Sequence, residues 1–137
     1  MYDLVYIADT YCGWCYGFGP AIRELVQDVE INLTVKHGAL FSGERSASLD
    51  SFGHIPQANA RIASLTGVIF GEPYQQLLED GSTVMNSDDG ARGLMALRSI
   101  VGEERGIEAV TAMQEAFYLA GLSLFLGTLH TTMLRER

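Results

Sequence analysis

The stretch TYCGWCYGFGP, residues 10–20, decides how the rest of this sequence is interpreted. It holds both cysteines of the chain, Cys12 and Cys15, with two residues between them. Just before it lies LVYIA, residues 4–8, a short run of β-branched and aromatic side chains that is typical of a buried strand. The two cysteines therefore follow the end of a predicted strand.

A helix and a second strand are predicted after the cysteines. The helix has its apolar residues at the i, i+3, i+4 and i+7 positions of one face from Gly19 onward. These residues are Ile22, Leu25, Val26 and Val29. The segment INLTVKHG, residues 31–38, then alternates apolar and polar side chains, as a half-buried strand does. The first 38 residues thus predict a parallel βαβ unit, because parallel strands need a crossover of this length.

After residue 48 the remaining sequence is predicted to be helical. Four segments combine helical spacing with start and stop signals: residues 55–67, 72–81, 86–104 and 106–121. The first two have a proline near the start and a glycine at the end. The third begins with Asn86 or Ser87 as N-cap, followed by acids that suit the positive end of the helix dipole. The predicted architecture is α/β, with helices inserted after a βαβ unit.

The charge of the chain argues against two classes of partner. The 137 residues carry a formal net charge of −8 without a basic cluster, so neither nucleic acid nor an anionic membrane is expected as a partner. The apolar run at residues 122–129 is interrupted by serine, glycine and threonine, and it is shorter than the ~20 residues that span a bilayer. Residues 1–9 lack the features of a signal peptide, so a cytoplasmic location is expected.

The spacing of the cysteines indicates redox chemistry. A strand end would deliver Cys12 to the N-terminus of the following helix, where unpaired N–H groups and the helix dipole stabilise a thiolate. Cys15 lies one turn further on, close enough to form a disulfide with Cys12. We therefore predict a thiol–disulfide exchange in which Cys12 is the nucleophile and Cys15 the resolving thiol. Gly13 and Trp14, between them, would tune the couple.

Neighbouring residues add to this prediction. Asp9, three residues before Cys12, would raise the pKa of the thiol unless its charge is neutralised or directed elsewhere. Three aromatic residues beside the cysteines, Tyr11, Tyr16 and Phe18, are candidates for a substrate-binding surface. Tyr16 and Phe18 could equally pack between the helix and the inserted helices.

Two other interpretations of the cysteine pair remain open at this point. The pair could be half of a zinc site completed by two of His37, His54 and His130, because a closed structural site needs four ligands. The cysteines could also be buried structural residues. The histidines show no paired spacing, and a CxxC motif beside a βαβ pattern favours a thioredoxin-like redox site. No metal, nucleotide or flavin cofactor is expected.

The segment CGWCYGFGP, after YIAD, resembles the active-site segment of the DsbA-like thiol–disulfide oxidoreductases, and most of all their bacterial branch of predicted protein-disulfide isomerases. NSDDGARGLMALRSIVGEE and MQEAFYLAG also resemble inserted helices of that branch, so the resemblance covers about residues 3–121. It implies a thioredoxin fold interrupted by a helical domain, with Cys12 and Cys15 as the catalytic pair. The substrates it implies are protein or small-molecule thiols and disulfides.

The resemblance also suggests how the chain is divided. We expect a thioredoxin-like βαβ unit (1–38), a helical insertion domain (39–121) and a C-terminal segment (122–137) without an assigned structure. In the family the insertion is followed by the second half of the thioredoxin fold, which includes a cis-proline loop facing the cysteines. All prolines of this chain precede residue 74, so that part of the fold is expected to be missing or replaced. A sheet of two strands would expose an edge. The last segment could fold as a helix or strand that covers this gap, or a second copy could pair with it, and we expect a homodimer.

Two alternative functions follow from the same comparison. A chain without the opposing proline loop could be an inert remnant that acts as a binding or assembly module. A relative of the kappa-class glutathione transferases and hydroxychromene-carboxylate isomerases would share the helical insertion. Those enzymes have a serine at the position of Cys12, so the intact cysteine pair favours the oxidoreductase.

Overall fold

The computed structural model describes residues 1–28 and 30–124. The first three elements are strand β1 (Tyr2–Ala8), helix α1 (Gly13–Asp28) and strand β2 (Ile31–His37). The two strands pair in parallel, and the register runs from Tyr2 beside Ile31 to Ala8 beside His37. The predicted parallel βαβ unit is confirmed. The C-terminal segment assigned to residues 122–137 lies outside the described residues from 125 onward.

The two strands differ in how they use their apolar side chains. On β2 the predicted alternation is present, since Val35 is buried whereas Thr34 and Lys36 are exposed. On β1, residues of one face contact the core, but Val5 and Ile7 on the opposite face are exposed. In the parallel register Val5 lies beside Thr34 and Ile7 beside Lys36. The outer face of this sheet is therefore apolar on β1 and polar on β2.

Helix α1 begins at Gly13, directly after Cys12, as the redox prediction expects. The apolar spacing begins only at Gly19, because the first turn contains glycines and aromatic residues instead of an apolar stripe. Cys12 is its N-cap residue, since the Cys12 carbonyl oxygen accepts a hydrogen bond from the Tyr16 N–H at 3.1 Å. The cysteines thus lie at the very start of the helix, where the redox interpretation requires them.

The predicted apolar face of α1 is only partly correct. Ile22 is buried, but Leu25 is exposed, and Val29 lies outside the described residues. The packing face lies nearer the start of the helix, at Gly17. A Cβ atom there would come within 2.7 Å of Ile62, so the glycine allows a neighbouring helix to approach closely.

The helical insertion contains the four helices predicted from the sequence. They are α2 (Ile55–Thr66), α3 (Glu72–Asp80), α4 (Ser87–Val101) and α5 (Gly106–Tyr118). Gly67 and Gly81 end α2 and α3 in the left-handed conformation, with φ of 77° and 74°. Asn86 caps α4, because its side-chain oxygen accepts a hydrogen bond from the Asp88 N–H at 3.0 Å. No helix within residues 1–28 and 30–124 is long and apolar enough to cross a membrane.

The prediction that the sequence after residue 48 forms helices and no strands is wrong at residues 84 and 85. Strand β3 (Ala47–Ser48) pairs with strand β4 (Val84–Met85) in an antiparallel arrangement. Strands of two residues are too short for an alternating pattern to appear in the sequence. The pair connects the segment after β2 to the residues just before α4.

Aromatic side chains join the βαβ unit to the insertion. The rings of Tyr16 and Tyr118 stack with their centroids 4.7 Å apart, and Tyr11 meets Phe117 edge-on at 5.0 Å. Tyr74 of α3 contacts both Phe117 and Tyr118. Residues next to the cysteines are therefore part of the core, and they hold the start of α1 against α3 and α5.

Candidate active site

The cysteine pair lies at the N-terminus of α1, beside the carboxyl end of β1. The Cys12 N–H donates a hydrogen bond to the Asp9 carbonyl oxygen at 3.0 Å, which closes the turn between strand and helix. The N–H groups of Trp14 and Cys15 donate hydrogen bonds to the Cys12 sulfur. The Cys12 side chain thus accepts hydrogen bonds from N–H groups that would otherwise be unpaired at the start of the helix.

These donors favour the thiolate form of Cys12. The hydrogen bond from the Cys15 thiol is the largest contribution, burial of the sulfur opposes it, and the N–H groups of Cys15 and Trp14 add to it. The Asp9 carboxylate opposes the shift as the smallest contribution. Together these effects lower the pKa of Cys12 from 9.0 to about 6. At neutral pH, Cys12 is therefore mostly the thiolate, which is the nucleophilic form.

Cys15 shows the opposite behaviour. Donation of its proton to Cys12 and burial raise the pKa of the Cys15 thiol well above that of a free cysteine. A hydrogen bond from the Asp9 N–H works against this increase. Both cysteines are free and half-buried. The pair thus combines an ionised thiol at the helix terminus with a protonated thiol behind it.

Asp9 is buried, and its carboxylate is held by three donors. One oxygen accepts from the Tyr11 N–H at 3.0 Å, and the other accepts from the Leu40 N–H at 3.0 Å and from the Ser87 hydroxyl at 2.6 Å. The negative charge is compensated by these hydrogen bonds. The sequence raised the question of whether Asp9 would prevent a low thiol pKa, and these contacts explain why its effect on Cys12 is small.

A second polar contact near the cysteines was not found by sequence analysis. The Thr10 N–H donates to His37 Nε2 at 3.2 Å, and the Thr10 hydroxyl lies 3.0 Å from the same nitrogen. His37 Nδ1 lies 2.6 Å from the Gly38 carbonyl oxygen, so the proton resides on Nδ1. A Cβ atom on Gly90 would lie 2.3 Å from the Thr10 hydroxyl. Only glycine lets α4 approach this contact so closely.

The predicted tuning residues have different surroundings. Trp14 is exposed beside Cys12, where its indole can meet a partner. Gly13 faces the insertion instead, because a Cβ atom there would lie 3.0 Å from Ile62 and 3.1 Å from the Asn59 side chain. The small size of Gly13 therefore serves the packing of α2 on the active-site turn.

The expected aromatic substrate surface needs correction. Tyr11 and Tyr16 are buried, with 4% and 8% of their surface exposed, because the inserted helices cover both rings. The Tyr16 hydroxyl also donates a hydrogen bond to the Ile69 carbonyl oxygen at 2.6 Å. Neither residue is available to a substrate. Phe18, which is 51% exposed, remains a candidate.

Phe18 and Trp14 border an open groove next to the cysteines. The groove has a volume of about 360 Å³. Its lining residues are Trp14, Gly17, Phe18, Pro20, Ala21, Glu24 and Thr66. Most of these side chains are apolar, and Glu24 is the acidic one among them, so the groove is suited to an apolar and uncharged or basic group.

The described part of the chain offers no set of residues for a zinc ion. It contains no group of three or more His, Cys, Asp or Glu side chains that could hold a metal. His37 is engaged with Thr10, and His54 is exposed at the start of α2. His130 lies outside the described residues.

Comparison with known proteins gives matches among solved structures. No protein-family model and no curated protein matches the chain. The cytosolic disulfide reductase DsbM from Pseudomonas aeruginosa is 26% identical with a TM-score of 0.78, and its structure with GSH is 28% identical with a TM-score of 0.74. A candidate protein disulfide isomerase from Nitrosomonas europaea, 22% identical with a TM-score of 0.70, shares the fold.

Each of these matches covers 89% of this chain. The chain spans 57 to 58% of the length of the structures it matches. The mixed α/β architecture, with a small parallel sheet and an inserted set of helices, is thus common to this chain and the corresponding part of those proteins.

Proposed function

Because this chain has the fold of the DsbA-like thiol–disulfide oxidoreductases, we propose that Cys12 and Cys15 are a redox pair that exchanges thiols and disulfides with its substrates. One observation carries the proposal. The Cys12 sulfur receives hydrogen bonds from the Cys15 thiol and from two N–H groups at the start of α1, which lower its pKa to about 6. A buried structural cysteine has no need of such an arrangement.

The proposed exchange uses the two cysteines in turn. The Cys12 thiolate attacks a sulfur of the substrate disulfide, forms a mixed disulfide and releases the first substrate thiolate. Cys15 then loses its proton to solvent and attacks the Cys12 sulfur. The Cys12–Cys15 disulfide forms, the bond to the substrate breaks, and the second substrate thiolate leaves and takes up a proton. Two electrons have moved from the protein to the substrate, and the reverse sequence oxidises a dithiol.

The lowered pKa of Cys12 supports an exchange of the protein disulfide isomerase type, which lies between a strong oxidant and a reductant. Hydrogen bonds that stabilise the thiolate stabilise the reduced pair, and the disulfide becomes more oxidising. Thiols of CxxC motifs have pKa values from about 3.5 in a strong oxidant to about 7 in a reductant. Cys12, at about 6, lies between these values. DsbM is described by its name as a cytosolic disulfide reductase. We propose that this chain is also located in the cytosol.

We further propose that the substrate is a polypeptide whose apolar side chain occupies the groove. Trp14 and Phe18 present aromatic surface beside the nucleophile, and Glu24 together with the net charge of −8 disfavours anionic ligands. A small thiol is the second candidate, because DsbM has been crystallised with GSH. Phe18→Ala should slow the reduction of insulin but not that of a small aromatic disulfide. Leu25→Ala, an exposed apolar residue on the same helix that does not line the groove, is the matched control.

The edge of β1 supports a homodimer. The Tyr2 N–H donates to the Glu30 carbonyl oxygen, and the Gly38 N–H donates to the Ala8 carbonyl oxygen. Even-numbered residues of β1 therefore bond to β2, and the backbone groups of Asp3, Val5 and Ile7 point to the opposite edge. No other strand of the described residues pairs with this edge. We propose that a second copy of the chain does.

Light scattering after gel filtration at micromolar concentration tests the dimer. The parent should have twice the mass of one chain. Val5→Lys places a charge on the exposed face at this edge and should give monomers, whereas Thr34→Lys on the neighbouring strand should not. A parent that is entirely monomeric would contradict the dimer and leave the redox proposal intact.

Insulin reduction tests the exchange itself. The parent should catalyse the reaction in the presence of dithiothreitol, and Cys12→Ser should abolish it because the nucleophile is lost. Cys15→Ser should accumulate a mixed disulfide that mass spectrometry can detect. If the parent and Cys12→Ser have the same rate, the chain is an inert binding module instead.

A further inference from the structure

Tyr6 has a buried hydroxyl without a hydrogen-bond partner in the described part of the chain. A buried polar group without a partner is costly, so its presence calls for an explanation. Tyr6 lies on β1, and its ring is 6.2 Å from the ring of Phe18, one helical turn after Cys15. Tyr6 and Cys15 both pack against the same core cluster. The Tyr6 ring therefore faces α1, and its hydroxyl is near enough to Cys15 and Cys12 to interact electrostatically with both.

The phenol is a hydrogen-bond donor under ordinary conditions. Burial raises the pKa of Tyr6 to about 12, and repulsion by Cys15 and then by Cys12 adds to the increase. The guanidinium of Arg23 acts in the opposite direction. At neutral pH the group is thus the protonated phenol, and its electrostatic interaction with Cys15 is stronger than that with Cys12.

Cys15 needs a hydrogen-bond donor to its sulfur when it becomes a thiolate during resolution of the mixed disulfide. In the reduced protein its thiol donates to the Cys12 thiolate, but in the mixed disulfide Cys12 no longer carries a charge. Cys15 must then become a thiolate in a half-buried position near the Asp9 carboxylate and the Tyr118 phenol. The Asp9 N–H is one donor to its sulfur. Burial and the Asp9 carboxylate both oppose ionisation.

We propose that the Tyr6 hydroxyl donates a hydrogen bond to the Cys15 thiolate while the mixed disulfide is resolved. This inference rests on the proposed redox function and adds a third residue to it. The Cys15 proton passes to solvent, and the thiolate attacks the Cys12 sulfur. The Cys12–Cys15 bond forms, and the bond between Cys12 and the substrate breaks. Tyr6 retains its proton throughout and stabilises the attacking group.

A two-step reaction with 5,5′-dithiobis(2-nitrobenzoate) separates the roles of the two cysteines. Attack by Cys12 releases one equivalent of the coloured thiolate, and attack by Cys15 on the mixed disulfide releases the second. Tyr6→Phe should leave the first rate unchanged. It should slow the second by about three- to tenfold at neutral pH, because a higher thiol pKa lowers the thiolate fraction more than it raises its nucleophilicity. The pH at which the second step reaches half its maximum should increase by about one to two units.

Tyr2→Phe is the matched control, since Tyr2 is on the same strand and 71% exposed. It should change neither step. Thermal unfolding of Tyr6→Phe checks its stability. The variant should melt at the same temperature as the parent or higher, because it loses a hydroxyl that has no partner. A slower second step in a variant of undiminished stability cannot arise from unfolding.

The outcomes distinguish this inference from the proposed function. If the parent never releases the second equivalent, the redox pair itself fails. If the parent releases both and Tyr6→Phe has the same second rate and the same pH profile, the role of Tyr6 is overturned while the redox pair stands. If Tyr6→Phe slows both steps equally, the proposed role of Tyr6 is also overturned. The substitution then changes the position of α1, which carries both reactions, instead of removing a hydrogen bond to Cys15.

Discussion

The Ser87 hydroxyl, on the first residue of α4, donates a hydrogen bond of 2.6 Å to the carboxylate of Asp9, 78 residues earlier in the chain. The same hydroxyl accepts a hydrogen bond from the Phe41 N–H at 2.8 Å. The helical insertion is thereby attached to the turn that carries the cysteines. The candidate active site is thus a joint product of the βαβ unit and the insertion.

Ser87→Ala should destabilise the protein by about 1–3 kcal/mol. The substitution leaves a buried carboxylate with one donor fewer and the Phe41 N–H without its acceptor. Urea unfolding measures the change. Ser99→Ala is the matched control on the same helix, because the Ser99 hydroxyl bonds to the Ala96 carbonyl oxygen in an exposed position. An equal decrease of the free energy of unfolding in the two variants would contradict a stabilising role of the hydrogen bond between Ser87 and Asp9.

Cys15→Ala should raise the pKa of Cys12 by about one to two units. The variant removes the donor that contributes most to the thiolate, and the N–H donors at the helix start remain. Alkylation by iodoacetamide as a function of pH reports the pKa. Cys15→Ser, which keeps a hydroxyl donor, should give an intermediate value. A Cys12 pKa that stays near 6 in Cys15→Ala would mean that the helix terminus alone is responsible.

The stability of the reduced protein should increase between pH 6 and pH 9. In this window the unfolded thiol of Cys12, with a pKa of 9.0, is protonated, whereas the folded thiol, with a pKa of about 6, is ionised. The unfolded state therefore binds more protons, and the free energy of unfolding rises with pH. The slope stays below ~1.4 kcal/mol per pH unit, because the thiol is only half-buried and solvent screens it.

Chemical unfolding at several pH values tests this linkage. Cys12→Ala should lose the pH-dependent increase between pH 6 and pH 9. An increase of the same size in that variant would assign the effect to other groups.

Gly90→Ala should destabilise the contact between α4 and the active-site turn. A Cβ atom would lie 2.3 Å from the Thr10 hydroxyl and 2.7 Å from His37 Nε2, so the helix has to move away. Overpacking of this kind costs about 1–3 kcal/mol. Gly53→Ala is the control, since a Cβ atom at Gly53 would meet nothing within 4 Å. The melting temperatures of the two variants give the comparison, and a Gly90→Ala variant as stable as its control would contradict the close approach.

The elements that could be predicted from the sequence depend on local patterns. The alternation in residues 31–38 predicted the second strand, and the glycines at 67 and 81 predicted the ends of two helices. Each of these signals lies within a few neighbouring residues. The two-residue strands β3 and β4 exist only through their pairing across the insertion. Leu25 fits the helical period and is nevertheless exposed. The reason is that α2 packs against α1 at Gly17, where the missing side chain allows close contact.

In the candidate site, too, the features that could be predicted are local in sequence, and those that could not depend on contacts between distant residues. The spacing of Cys12 and Cys15 identified the pair, since that motif lies within one helical turn. The burial of Tyr11 and Tyr16 could not be predicted, because it depends on rings of α5 that come from about a hundred residues away in the chain. The hydrogen bond between Thr10 and His37 joins residues 27 apart, and no pattern in either segment indicates it.

A glutathione redox titration of the Cys12–Cys15 pair tests the central proposal most directly. The protein is equilibrated at a series of glutathione ratios, its thiols are trapped, and the products are counted by mass spectrometry. We expect a reversible intramolecular disulfide with a single midpoint between about −270 and about −120 mV, on the oxidising side of thioredoxin because the Cys12 thiolate is stabilised. Thiols that stay reduced throughout, or that cross-link only between chains, would contradict the redox pair.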